Sequence, residues 1–228
     1  MAPRFRSTIP PDARPKVIAR FPSSAPKLIE FRFHREIVGY RSLHETGEVE
    51  TDHTIKNGRK DGLEWRFDEP GVLVSVIPYR NGNEHGTAKQ YDDNGKLIGT
   101  YRMIHGTGID LWRATSFVDG PIVLSEVRFM KSGNPHGFEW WINDDQSSVY
   151  HERHWRDGCL HGIDRRWNAK GRLRRGYPKY YVDDRTVTKR QYLRATERDR
   201  TLPRWRESDN SSMRIFPSEI AQHLGGRR

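Results

Sequence analysis

The sequence predicts a mainly β protein: an array of antiparallel β-hairpins, forming an open sheet or solenoid, with a small helical cap at its C-terminal end. Three observations predict it. Glycines recur at a steady spacing, with Gly62, Gly86, Gly137 and Gly162 as anchors. Four residues before each anchor stands another glycine, Gly58, Gly82, Gly133 or Gly158, preceded by Asn57, Asn81, Ser132 or Asp157. Asn-Gly and Asp-Gly pairs favour the positive φ of tight hairpin turns. Between turns the residues alternate, as in Leu63-Glu64-Trp65-Arg66-Phe67, so the apolar residues share one strand face and the charged ones the other. The composition agrees. With 34% hydrophobic and 31% charged residues and a mean hydropathy of -0.92, the chain suits a thin fold in which seven Trp, nine Tyr and nine Phe supply much of the burial.

Residues 1–27 hold Pro3, Pro10, Pro11, Pro15, Pro22 and Pro26 and are expected to form a disordered or extended arm, a docked strand near Val17 to Phe21 being the second reading. A repeat array is expected over 28–176. Gly62 to Gly86 and Gly137 to Gly162 are steps of 24 and 25, and the gap of 51 between Gly86 and Gly137 leaves room for a divergent copy near Gly108. Nine residues after the anchors come Gly71, Gly95 and Gly171, with Gln146 in the third copy. These mark a second turn per unit, so each repeat contributes one hairpin to a meander. The block from His105 to Pro121 has altered turns, and the first copy, around Gly39 and Gly47, is degenerate. Residues 177–228 are expected to form a basic, partly helical cap. Tyr177 to Val182 reads as a last strand and Asp183-Asp184-Arg185 as a turn. Thr188 to Gln191 has capping-box spacing, which predicts a helix from about Lys189 to Arg198. A second helix is expected after Ser218, ending at Gly225-Gly226.

The pattern N-G-x-x-H-G, then an aromatic strand, then G-K-L, best kept in Asn81 to Leu97, resembles the MORN repeat in the variant found in bacterial YwqK-family antitoxins. Asn57 to Leu73 and Asp157 to Leu173 are the other copies that carry it best, and the resemblance covers about residues 36 to 176. The resemblance implies a MORN-like array that serves as a scaffold for protein contacts. It also implies a role as an antitoxin of a toxin-antitoxin system, or as an immunity-like protein, with a toxin as partner. The glycines Gly58, Gly62, Gly82, Gly86, Gly95, Gly133, Gly137, Gly158, Gly162 and Gly171 are then structural turn residues.

Catalytic chemistry finds little footing. His85, His136 and His161 occupy equivalent places, but Asp61 replaces His in another copy, so a turn residue bonding its own loop is the better reading than a metal column. Asp92-Asp93, Asp144-Asp145 and Asp183-Asp184 fall at turns, which Asp favours. The lone Cys159 excludes an internal disulfide and a cysteine zinc cage. No phosphate-binding glycine loop, G-x-S-x-G or H-E-x-x-H motif occurs. The expectation is a non-enzymatic protein without metal or cofactor. No apolar run is long enough for a transmembrane segment, and a cytoplasmic location is expected.

The net charge of +10 is concentrated. From Arg165 to Arg206 there are 15 Lys/Arg against 4 Asp/Glu, while the rest of the chain holds 25 against 26. Arg174, Arg175, Lys189, Arg190, Arg204, Trp205 and Arg206 are candidate binding residues, because basic and aromatic residues together suit an acidic protein, nucleic acid or anionic lipid. Trp140 and Trp141 are adjacent on a strand and must point to opposite faces, so one of them is a candidate contact. Two functional classes follow: a protein-binding module, and a nucleic-acid or anionic-membrane binder working through the basic C-terminal region.

Overall fold

The computed structural model describes residues 4–116 and 120–225. The chain is mainly β, and it divides into two compact units after Gly106. The first unit is an antiparallel meander of β1 (Arg14–Arg20), β2 (Pro26–Phe33), β3 (Glu36–Leu43), β4 (Val49–Lys56), β5 (Arg59–Phe67), β6 (Leu73–Arg80), β7 (Asn83–Glu84), β8 (Gly86–Tyr91) and β9 (Leu97–Ile104). The second continues with β10 (Thr107–Thr115), β11 (Ile122–Lys131), β12 (Asn134–Ile142), β13 (Val149–Arg156), β14 (Cys159–Leu160), β15 (Gly162–Arg166), β16 (Lys179–Val182) and β17 (Arg185–Val187). Helix α1 (Lys189–Arg198) and the single turn α2 (Ser218–Ala221) follow.

The expected disordered arm is instead structured. Pro15 and Pro26 sit at the first two positions of their strands, where proline is tolerated, and β1 pairs with β2 from Arg14↔Arg32 to Arg20↔Pro26. Ahead of β1, Phe5 packs edge-on against Trp65 and Phe67, Ser7 donates to Asp52, and Ile9 is buried. These contacts give the segment the apolar anchors that its proline content hides.

Two kinds of turn generate the meander. Among the described residues, seven two-residue turns have both members at positive φ: His34-Arg35, Asn57-Gly58, Asn81-Gly82, His105-Gly106, Ser132-Gly133, Asp157-Gly158 and Asp183-Asp184. This is the turn whose twist matches paired strands. His105-Gly106 is thus an ordinary member of the series, and Asp183-Asp184 extends the series beyond Gly176. The Asp92 to Gly95 loop is different. Asn94 is not at positive φ; only Gly95 is, and Asp92 Oδ1 accepts the backbone N–H groups of Asn94 and Lys96. Gly71, Gln146 and Gly171 close equivalent loops, each at positive φ. Asp119, where the altered block from His105 to Pro121 should close with an Asp119-Gly120 turn, lies outside the described residues, as does Gly226 at the expected end of the second helix.

The anchors do something else. Between Ile55↔Lys60 and His53↔Glu64, one residue of β4 faces three of β5, and β11 and β12 show the same mismatch. At His85-Gly86 and His161-Gly162, two residues face four. Every anchor is therefore a bulge of two extra residues. Such insertions bend a strand and raise its twist. The glycine makes it possible: φ is +113° at Gly62, +123° at Gly86, +101° at Gly137 and +156° at Gly162, and a Cβ at Gly162 would stand 2.6 Å from His154 Cβ.

The polar strand face is less open than alternation suggests. Glu64 and Glu139 are both 2% exposed. Lys60 and Arg66 pair with Glu64, and Arg128 pairs with Glu139. Ion pairs along β5, and across β11 and β12, close this face over its own carboxylates. On the other face, Trp65, Leu73, Val76 and Tyr91 form a hydrophobic cluster of the first unit. In the second unit, Tyr192 of α1 is fully buried against Ile163, Tyr180 and Leu202, as expected of a cap on the end of the array.

Candidate functional site

The recurring His/Asp position before each anchor joins neighbouring repeats. Asp61 Oδ2 accepts the backbone N–H of Asn81, and His85, His136 and His161 accept those of His105, Asp157 and Asp183 through Nδ1, all at 3.1–3.3 Å. The bond goes to the next turn along, not to the residue's own loop. Carboxylate and imidazole are interchangeable there because each offers one acceptor at the same reach. His161 is fully buried and holds the most elaborate version. Its Nε2 faces Thr201 Oγ1 and Asp199, and Arg156 bridges Asp183 and Asp199 at 2.5 and 2.6 Å. Burial lowers the His161 pKa, and the nearby Arg156 guanidinium adds to the effect. Cys159 carries no activated thiolate: its bond to Asp184, with burial, pushes the thiol pKa up. Among the described residues no His, Cys, Asp and Glu cluster could hold a metal ion.

The feature with binding chemistry is a cleft of about 710 Å³ in the second unit. Its floor comes from three neighbouring strands. Register sets Trp140 of β12 opposite Glu152 of β13, and Glu152 opposite Arg165 of β15. Trp140 Nε1 donates to Glu152 Oε2 at 2.7 Å, Arg165 Nη1 to Oε1 at 2.7 Å, and Arg214 Nε to Oε2 at 2.8 Å. Burial raises the Glu152 pKa, but Arg214, Arg165 and the indole more than offset it, so the carboxyl stays below its ordinary range. Arg165 itself is 3% exposed, and its Nε and Nη2 lack hydrogen-bond partners.

The C-terminal segment builds the walls. Val149 donates to Ser212 O and Arg214 to Ser147 O, which lays residues 212–214 beside the start of β13. Phe216 then packs edge-on against Trp140. The stretch after α1 contributes Arg200, Arg204 and Arg206. These three are exposed, and none has an ion pair among the described residues. Met213 and Ile215 form an apolar lip at 56% and 102% exposure. The cleft therefore offers five guanidinium groups against the carboxylates of Glu152 and Asp209, next to exposed aliphatic surface.

Of the expected binding residues, this cleft gathers Trp140, Arg204 and Arg206. Trp140 is buried beneath it. Trp141, on the opposite face as adjacency requires, stacks on His151 under Arg153. Arg174 donates to Trp167 O, and Arg175 lies exposed in the same loop. Lys189 covers the ring of Trp205, and Arg190 is exposed on α1. Sequence reasoning missed Glu152, Arg165 and Arg214. The available signal was register: a Glu on the same strand face as a Trp row must find cations or remain uncompensated.

The chain matches no family model, no curated protein and no solved structure in the comparisons made with them. The resemblance to MORN repeats rests on the residues that carry it. No helix among the described residues is long and apolar enough to cross a membrane.

Proposed function

We propose that the protein is a non-enzymatic binding module whose hairpin array presents the arginine-lined cleft to an acidic segment of a partner protein. The observation that carries this reading is that Arg200, Arg204 and Arg206, with no acid of their own, line one cleft beside the exposed Met213 and Ile215. Guanidinium forks suit carboxylates, and the aliphatic lip suits the side chains between them. Single-stranded nucleic acid would instead require exposed aromatic faces for base stacking. Here Trp140 and Trp167 are buried, and Trp205 is covered by Lys189. Read with the repeat resemblance, the partner is a toxin and the protein its antitoxin or an immunity-like protein.

The test is fluorescence anisotropy with a labelled Glu/Leu-rich peptide and, separately, a labelled oligouridine of similar length. The peptide is expected to bind saturably and the oligouridine more weakly, with Arg204→Glu/Arg206→Glu abolishing the peptide signal. Tighter binding of the RNA would transfer the cleft to nucleic acid. A double variant that binds the peptide like wild type would remove the cleft from the function.

A further inference from the structure

The same three-strand position exists in the first unit, with the Trp kept, Lys89 in place of Arg165 and Val76 in place of Glu152. Trp65 of β5 lies opposite Val76 of β6, and Val76 lies opposite Lys89 of β8. Trp65 and Trp140 both stand three residues after an anchor glycine, as do Lys89 and Arg165. Each Trp receives a phenylalanine edge from a terminal segment, Phe5 at 5.6 Å in one unit and Phe216 at 5.5 Å in the other. The cation keeps its charge, as Lys89 for Arg165, and the chemical type changes at the centre. Where the second unit has Glu152, the first has Val76.

That change leaves donors without an acceptor. Trp65 is 5% exposed and its Nε1 has no hydrogen-bond partner, whereas Trp140 Nε1 gives its proton to Glu152. Lys89 is exposed and without an ion pair among the described residues, whereas Arg165 binds Glu152. Above them is a pocket of about 390 Å³, lined by Leu63, Trp65, Val76, Pro78, Lys89 and Tyr91 among others. Its walls are almost wholly apolar, and Lys89 is the only charged residue lining it among the described residues. Small-molecule sites have this character: an apolar enclosure with a few fixed polar groups.

We propose that this pocket binds a small monocarboxylic acid with an apolar body. The ligand's carboxylate takes the place that Glu152 fills in the second unit, accepting from Trp65 Nε1 and pairing with Lys89, while its hydrocarbon part rests on Leu63, Pro78 and Tyr91. A free carboxylate is the complementary group because the chain itself uses one between an indole and a cation at this register. A neutral ligand would gain no ion pair from Lys89, whose exposed ammonium would keep only its water. The site is independent of the arginine-lined cleft, so either can fail without the other.

The test uses 4-phenylbutanoate and its neutral counterpart 4-phenylbutan-1-ol as probes on the full chain, observing the indole N–H resonances of ¹⁵N-labelled protein. The acid is expected to shift the Trp65 resonance saturably and to bind roughly tenfold or more tighter than the alcohol, the scale of one charge-assisted contact. Lys89→Met, an exposed change that leaves the fold intact, should erase that preference. Val76→Glu supplies the missing carboxylate from the chain and should abolish acid binding while moving the Trp65 resonance in the unliganded protein. No saturable shift at millimolar acid, equal affinity for acid and alcohol, or undiminished binding by Val76→Glu would each overturn the proposal.

Discussion

Gly86 and His85 stand side by side and contribute in different ways. Gly86 holds φ at +123°, inside a two-residue bulge, and a Cβ there would stand 3.0 Å from Pro78 Cγ. A β-branched side chain adds backbone strain of about 1–3 kcal/mol before any clash is counted. His85 gives one acceptor to the N–H of His105, at the exposed edge of the array. That bond is worth about 1 kcal/mol at most, because water can replace it. Gly86→Val is therefore expected to lower the melting temperature more than His85→Ala, as differential scanning calorimetry would measure. The reverse order would mean that imidazole chemistry, and not backbone shape, fixes this position. The same reasoning explains what could be read from the residues themselves. Glycine is the residue that positive φ favours, so the backbone conformation of the anchors was legible, while their role as bulges inside paired strands, instead of turns, was not. A buried carboxylate does not announce its partners: Glu152 draws on Arg165 and on Arg214, which lies far along the chain.

At the scale of single elements, α1 is the clearest success. Thr188 and Gln191 cap each other reciprocally, and the helix runs from Lys189 to Arg198 as the capping box predicts. Its far end is held by a cluster that spacing could not reveal. Bonds from the hydroxyl and backbone N–H of Thr201, followed by Arg156, hold the Asp199 carboxyl at about 2, below the ordinary carboxylate value. The folded value lies under the unfolded one, so this group's contribution to stability is fully present above about pH 4 and is lost as pH falls toward about 2. Asp199→Asn removes the titration. The stability difference between wild type and variant, from urea midpoints, is expected to shrink steadily across that window. Parallel curves would show that Asp199 is not coupled to folding. Elements without such markers were hidden. The strand Arg14–Arg20 lies in a proline-rich stretch, and the His34-Arg35 turn adopts positive φ without glycine, whereas Asp183-Asp184, also without glycine, was legible as a turn because Asp favours turns. The surrounding strand pairing imposes that conformation, overriding local preference.

Across the whole molecule, charge distribution decides what the array can recognise. The net +10 arises almost wholly between Arg165 and Arg206, because the rest of the chain nearly balances. Within that stretch many cations are already engaged: Arg165 with Glu152, Arg174 with the Trp167 carbonyl, Lys189 over Trp205. Arg200, Arg204 and Arg206 are exposed beside the cleft and have no ion pair among the described residues. Exposed charges act over a Debye length of about 10 Å at 0.1 M salt, which falls to about 3 Å at 1 M. Acidic-peptide binding at the cleft should therefore weaken steeply as salt rises, mainly because electrostatic steering of association is lost. The apolar lip sets a floor to that loss. Contacts with Met213 and Ile215 are not screened, so residual binding should persist at high salt and disappear in Ile215→Asp. Stopped-flow measurements over a salt series separate the two contributions: ionic strength should act chiefly on the association rate, and Ile215→Asp chiefly on dissociation. An association rate indifferent to salt would mean that these arginines do not face the partner, and the cleft would lose its claim as the recognition surface.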